Sequence, residues 1–321
     1  MSDSKTRVLI TDYSFADLEP EKRVLQEAGL HLEVAQCKSA EDVCRRGAGA
    51  SALLVQAVSI TREVLEALPE CKLVVRYGVG VDNVDVEAAK ARGVAVCNVP
   101  DYGIDEVADH ALALALSLGR QLPALDRRLR EGVWKMVPIT PMRAFHEMTF
   151  VTAGLGRIGR EVLQRARGFK FDLAAYDPFV PDEAFAQCGV RRVSLDEMFA
   201  QADILSLHLP LTPETHHLVN AARLKQMKPH AILVNTARGA LIDTLALAQS
   251  LEDKAIAYAG LDVFEDEPLP SDHPLRGQSN ALLSSHMAWC SESSVPRLQR
   301  LAAEEVVRGL SGQTLRNQVN R

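Results

Sequence analysis

The run Gly154-Leu155-Gly156-Arg157-Ile158-Gly159 places three glycines where a chain can turn sharply, and Asp177 follows 18 residues after the last of them. In a turn of this kind the first glycine permits the tight bend and the second lets the backbone approach a pyrophosphate, while the third lets a helix pack closely on a strand. The helix N-terminus adds N–H donors and partial positive charge. A carboxylate at the position of Asp177 accepts hydrogen bonds from the ribose hydroxyls of an adenosine. It also repels a 2'-phosphate, and Pro178 stands where an arginine would have neutralised one. The chemistry expected of these residues is dinucleotide binding, NAD in preference to NADP.

A bare glycine spacing is also compatible with an ordinary tight turn, so the elements around it decide. The six residues directly follow an apolar run at 149–153, lead into a helix pattern at 161–168, and are followed by a second apolar run that ends in Tyr176-Asp177. Further short apolar runs at 190–193, 204–207, 231–235, 257–261 and 281–284 continue this series as one doubly wound sheet. An earlier series at 7–11, 31–34, 52–55, 73–76 and 94–97 has the continuous apolar character of parallel strands covered on both faces. The fold class is therefore α/β, with two doubly wound parallel-sheet, Rossmann-like domains. Between the two series lie an amphipathic helix pattern at 104–120, a charged stretch at 126–135 and a proline-containing loop at 137–143. A last helix pattern at 295–310 is too isolated to start a new domain and is expected to cross back to the first. The cofactor domain, 103–289, would then be inserted into a substrate-binding domain built from 1–102 and 290–321, with hinges near 100–103 and 288–295.

Composition limits the partners. The 321 residues are 47% hydrophobic and 24% charged, a globular balance. A net charge of -6 and a pI near 5.9 leave no basic field for nucleic acid. No apolar run approaches the roughly 20 residues that span a bilayer, so no membrane association and a cytoplasmic location are expected. The six cysteines form no CxxC pair, which argues for reduced thiols rather than a zinc site or disulfides. Cys290 as a nucleophile lacks a base partner signalled nearby. No metal is expected.

Several separate blocks, densest from Val74 to Leu310, resemble the D-2-hydroxyacid dehydrogenase family. Arg76-Tyr77-Gly78-Val79-Gly80-Val81-Asp82-Asn83 looks like that family's substrate-carboxylate loop, and Leu207-His208-Leu209-Pro210-Leu211-Thr212 like the loop beside nicotinamide. Asn235-Thr236-Ala237-Arg238-Gly239, Leu261-Asp262-Val263-Phe264-Glu265-Asp266-Glu267-Pro268 and Ser285-His286 stand in the order of its three catalytic signatures. The resemblance implies NAD-dependent hydride transfer at C2 of a small 2-oxo or 2-hydroxy carboxylate. A guanidinium suits the holding of a carboxylate and the polarising of a carbonyl, a role implied for Arg238. Imidazole suits a reversible proton transfer, implied for His286. A carboxylate bonded to that imidazole would fix its tautomer and favour its protonated form, and by resemblance this is Glu267. Asp262 resembles the residue that holds the nicotinamide carboxamide.

The backbone around Val79 and Gly80, together with Arg76 and Tyr77, is implied in substrate binding, as are Arg238, His286 and Trp289. The cofactor set comprises Gly154, Gly156, Arg157, Ile158, Gly159, Asp177, His208, Pro210, Thr236, Ala237, Arg238, Asp262 and His286. Taken singly, His286 after an apolar strand reads as structural and Arg238 before a glycine as a cap or surface charge; with the fingerprint they read as a catalytic set. His208, His216 and His217, with no carboxylate cluster matched to them, are expected to line the cofactor edge or face solvent. Glu265 and Asp266 are expected to be solvated loop charges.

Val96-Cys97-Asn98-Val99-Pro100, Glu106-Val107-Ala108-Asp109 and His286-Met287-Ala288-Trp289-Cys290-Ser291-Glu292 lean toward the branch that holds the C-terminal-binding-protein co-repressors. Trp289 replaces the small residue of most relatives and is expected at the lip where substrate side chains project. Two alternatives accompany the enzyme reading: a nucleotide-gated binding module like those co-repressors, and oxidation of a related small anion such as phosphite. The sequence begins near its first strand and ends soon after its last helix, so no tail for partner assembly is expected. With the sequence ending at Arg321, a regulated phosphoglycerate dehydrogenase is not expected. A homodimer is expected, with the 104–120 helix, its stripe Ala111, Leu112, Ala115, Leu116 and Leu118, and the 122–134 segment at the interface.

Overall fold

The computed structural model describes residues 6–321. They divide into two compact units, Met1–Gly103 with Cys290–Arg321, and Ile104–Trp289.

The first unit carries β1 (Arg7–Ile10), α1 (Glu19–Glu27), β2 (His31–Val34), α2 (Ala40–Gly47), β3 (Ala52–Val55), α3 (Arg62–Ala67), β4 (Leu73–Arg76), α4 (Val86–Ala91) and β5 (Ala95–Cys97). The strands pair in parallel in the order β2-β1-β3-β4-β5. Side chains alternate across a strand, so Leu9, Leu53, Val55, Val74 and Val96 point to the face covered by Val43, Val64, Leu65 and Ala88 of α2 to α4. The opposite face is covered by α1 and by a long C-terminal helix, Ser294–Leu310, which packs on α1, β3 and β4. Helix boundaries follow local chemistry: Ser39, Thr61 and Asp85 each accept a bond from a first-turn N–H, relieving donors that a helix start leaves unpaired.

The second unit opens with α5 (Ile104–Gly119) and α6 (Leu122–Arg130). Then follow β6 (Thr149–Ala153), α7 (Arg157–Arg167), β7 (Asp172–Tyr176), α8 (Asp182–Cys188), β8 (Arg191–Arg192), α9 (Leu195–Gln201) and β9 (Ile204–Leu207). α10 (Ala221–Leu224), β10 (Ile232–Asn235), α11 (Thr244–Glu252), β11 (Tyr258–Leu261) and β12 (Ala281–Leu283) complete it; the C-terminal helix of the first unit is α12. All seven strands are parallel, in the order β12-β11-β10-β9-β6-β7-β8. α5, α7 and α8 pack on one face around Phe150 and Ile204, and α9 to α11 on the other around Leu205 and Leu233.

One expectation is corrected here. The stripe of α5 faces the core of its own unit: Ala111, Leu112, Ala115 and Leu118 are buried and join the cluster on β10 and β11. A helix that must cover a sheet has its apolar face spent on the sheet. The exposed apolar surface lies farther on, in α6, which buries no residue, and in 131–140, where Trp134 is 78% and Met136 92% exposed. Among the described residues no helix is long and apolar enough to cross a membrane.

Candidate functional site

The candidate residues of the second unit all follow carboxyl ends of its strands: the glycine turn after β6, Asp177 after β7, His208 and Pro210 after β9, Thr236 to Arg238 after β10, Asp262 and Glu267 after β11, and His286 after β12. In an open parallel sheet ligands bind beyond those ends, where the strand order reverses. Here that point lies between β6 and β9.

The three glycines have three different surroundings. Gly154 has φ +104°, and a Cβ there would lie 2.7 Å from the carbonyl oxygen of His208. A Cβ on Gly159 would lie 2.2 Å from the carbonyl oxygen of Gly154, so the turn and α7 meet with no room for a side chain. A Cβ on Gly156 would meet nothing within 4 Å, which leaves its backbone open to an approaching ligand where α7 begins with Arg157 and Ile158. Asp177 closes the turn from β7: its carboxylate accepts from Leu155 N–H at 2.8 Å and from Phe179 N–H at 2.9 Å. Each oxygen retains further acceptor capacity.

Two buried polar atoms nearby, Thr236 Oγ1 and His208 Nδ1, have no hydrogen-bond partner among the described residues. Orphans of this kind are costly unless a ligand satisfies them. With the open backbone at Gly156 they form a set of donors and acceptors that fits a nicotinamide dinucleotide. The expectation for His208 is refined: its Nε2 meets Ser206 Oγ at 2.9 Å, and burial pushes the imidazole down to about 3, so it is neutral at ordinary pH.

Arg238, Glu267 and His286 come from three different strand ends and are held by close contacts between loops. Asn235, fully buried at the end of β10, accepts from Ala237 N–H at 3.0 Å and donates to the Arg238 carbonyl at 2.8 Å. The Arg238 guanidinium folds over the Ala237 carbonyl at 2.6 Å. At Gly239 a Cβ would lie 1.8 Å from the Phe264 carbonyl carbon, so only glycine lets the Arg238 loop touch the loop after β11. In that loop Glu267 accepts from Phe264 N–H at 3.0 Å with one oxygen and meets His286 Nδ1 at 2.7 Å with the other. Burial pushes the Glu267 carboxyl up, but bonds from His286 and Phe264 N–H and the charges of His286 and Arg238 outweigh it and hold it below the usual range. An ionised carboxylate there requires a proton on Nδ1 and turns Nε2 of His286 to other work.

Several expectations change. Glu265, exposed as expected, is more than a solvated loop charge: it accepts from Thr244 N–H at 2.9 Å, from the Thr244 hydroxyl, and pairs with His217 Nε2 at 2.5 Å. His217 therefore has a carboxylate partner that sequence separation concealed, and His216 stacks on it at 4.0 Å. Asp262 is fully buried, and its oxygens accept from Met287 N–H and Ala288 N–H at 3.0 and 2.8 Å, so it serves the segment that carries His286. The Trp289 indole N–H donates to the His286 carbonyl at 2.8 Å.

In the first unit Arg76 ends β4, and its guanidinium lies over Gly78, where φ is +129° and a Cβ would lie 1.9 Å from Nη1. Val79 is exposed and Gly80 partly so. The side chain of Tyr77 is corrected from substrate contact to anchor: it is 2% exposed, packs edge-on against Phe15, and donates to Glu21 at 2.9 Å. Burial pushes the Glu21 carboxyl up, only partly offset by its backbone bond and those from Tyr77 and Gln299.

Residues 112–288, more than half of the chain, match the family model described as the NAD binding domain of D-isomer specific 2-hydroxyacid dehydrogenase. The chain is 43% identical over 272 residues to a D-3-phosphoglycerate dehydrogenase of Mycobacterium bovis, covering 84% of this chain and 51% of the relative. It thus spans about half the length of that relative. It is 39% identical to a glyoxylate reductase of Korarchaeum cryptofilum, covering 81% of this chain and 80% of the relative. Among solved structures, D-lactate dehydrogenase from Aquifex aeolicus complexed with NAD and lactic acid superposes with a TM-score of 0.89 at 28% identity, covering 98% of this chain and 99% of that one.

Proposed function

The chain belongs to the D-isomer specific 2-hydroxyacid dehydrogenase family, and from that premise we propose that it reduces small 2-oxo acids to 2-hydroxy acids with NADH, or runs the reverse reaction. The observation that carries the proposal is the bond of 2.7 Å between His286 Nδ1 and a Glu267 carboxylate held ionised by its surroundings. Arg238 binds the substrate carboxylate and polarises the carbonyl, where a planar cation suits both tasks. The Val79-Gly80 backbone and Arg76 serve the substrate carboxylate, and Trp289 its side chain. His286, oriented by Glu267, gives a proton from Nε2 to the carbonyl oxygen in reduction and takes one from the hydroxyl in oxidation. The nicotinamide, when bound, supplies or accepts the hydride at C2. Gly154, Gly156, Arg157, Ile158 and Gly159 hold the pyrophosphate; Asp177 holds the adenosine ribose; His208, Pro210, Thr236 and Ala237 line the nicotinamide half. Asp177 favours NAD over NADP.

A homodimer joined through α6 and 131–140 goes with this reading, supported by the exposed Leu122, Leu129, Trp134 and Met136. Six free cysteines fit a reducing, cytoplasmic setting. The 43% identity to a D-3-phosphoglycerate dehydrogenase puts a phosphorylated 2-oxo acid among the substrates to test. The test is a panel of glyoxylate, pyruvate, hydroxypyruvate, its phosphate ester and 4-methylthio-2-oxobutyrate with NADH, plus phosphite with NAD. Steady turnover of at least one 2-oxo acid is expected. NADH binding without turnover of any acid would favour the binding-module reading instead, and turnover of phosphite alone the phosphite reading.

A further inference from the structure

His286 has φ +54°, a left-handed conformation that a residue with a side chain adopts only when its surroundings hold it there. Its own N–H donates to the Asp262 carbonyl at 2.7 Å, and the next two N–H groups, of Met287 and Ala288, are taken by the Asp262 carboxylate. That carboxylate is gripped from a third direction. Ser284 Oγ donates to Asp262 Oδ1 at 2.6 Å, and His110 Nε2 lies 2.9 Å from Ser284 Oγ and 3.7 Å from Oδ1. A hydroxyl has one proton. Since Ser284 gives it to the carboxylate, its oxygen accepts, and His110 must carry its proton on Nε2. The bonds therefore run one way, from the partly exposed His110 through Ser284 to the buried Asp262, and each polarises the next. His110 stands in the middle of the 16-residue α5, packed across α7, β10 and β11, so the chain begins on a rigid element.

We infer that His110 is a positioning residue for His286: its Nε2–H, relayed by Ser284, fixes the Asp262 carboxylate that holds the left-handed turn presenting the imidazole to Glu267. The inference rests on the reading of His286 as the acid–base group. Packing alone would require only the volume of the ring, whereas this role requires a donor at one atom. Glutamine can place an amide N–H near the position of Nε2; leucine keeps bulk and loses the donor.

The experiment compares His110→Leu, His110→Gln, Ser284→Ala and the His110→Leu/Ser284→Ala pair. It reads kcat and KM for glyoxylate, NADH affinity by fluorescence, and the imidazole 1H–15N signals of His286, identified by their loss in His286→Ala. His110→Leu and Ser284→Ala are each expected to lower kcat by about 10- to 100-fold, the scale for a misplaced catalytic group, with little change in NADH affinity and with displaced His286 signals. His110→Gln should recover most of the activity and the native signals. The pair should be no worse than either single change, because both break one chain. Unmoved His286 signals in His110→Leu, additive losses in the pair, or equal damage from Gln and Leu would each overturn the inference. If His286→Ala itself turns over normally, the acid–base reading falls, and the His286 signals still decide whether His110 positions that segment.

Discussion

Asp177 ties the glycine turn through Leu155 N–H and keeps further lone pairs, which the proposed reading assigns to a ribose. Asp177→Ala is accordingly expected to weaken NADH binding and, more tellingly, to narrow the ratio of NADH to NADPH affinity in fluorescence titrations. Damage to the turn alone would lower both affinities and leave the ratio unchanged. His286→Ala should lower turnover by about 100-fold or more, the usual weight of general acid–base catalysis, while NADH still binds; turnover near the wild-type rate would remove His286 from the mechanism. Trp289 spends its indole N–H on the His286 carbonyl, which leaves its ring as the apolar contact. Trp289→Ala should cost about 1–3 kcal/mol in kcat/KM for 4-methylthio-2-oxobutyrate, the scale of lost apolar pocket contacts, and far less for glyoxylate. Equal losses on both acids would mean that the change disturbs His286 itself, and the specificity claim would be withdrawn.

At the scale of elements, the sheet of the second unit is pinned by a buried carboxylate. Asp203 begins the step into β9 and accepts from Thr149 N–H at 2.8 Å, from Lys228 at 3.0 Å and from His230 at 2.6 Å, joining β6 to the segment before β10. Burial pushes its carboxyl up, but the bonds from Thr149, Lys228 and His230 outweigh that and hold it below the ordinary value of 3.8. A carboxyl depressed on folding contributes stability that is complete above its unfolded pKa and is lost as pH falls through the folded one. Asp203→Asn should therefore lower the stability of the fold by about 1–3 kcal/mol at neutral pH, the cost of unbalancing a charge-assisted buried network. The gap in thermal midpoint between the two proteins should shrink as pH is lowered below about 4. A gap that stays constant across that range would show that Asp203 acts through shape alone. Elements also account for the glycines: Gly239 is required by the loop it presses on, 25 residues away in sequence at Phe264, not by a turn of its own.

At the scale of the whole molecule, the exposed apolar residues of α6 and 131–140 predict a stable dimer. Light scattering at micromolar concentration should give twice the mass of 35.1 kDa, and Trp134→Glu with Met136→Glu should shift it toward the monomer. A monomeric wild-type protein would exclude the assembly. Apolar runs at 149–153, 172–176 and 204–207 and the glycine turn between the first two were legible from the sequence, because the continuous apolar run of a strand covered on both faces and the conformational freedom of glycine are local properties. The residues proposed as the triad were named through the family resemblance of their blocks, and of the three the structure joins His286 and Glu267 directly, at 2.7 Å. What only the tertiary structure decided were partnerships between distant residues. Glu265 finds His217 across 48 positions, Tyr77 finds Glu21 across 56, and His110 finds Ser284 across 174. Whether a charged or hydroxyl side chain meets solvent or a partner depends on which loops the sheet order brings together, and that order, β12-β11-β10-β9-β6-β7-β8, is set by packing of both sheet faces rather than by any short stretch of sequence.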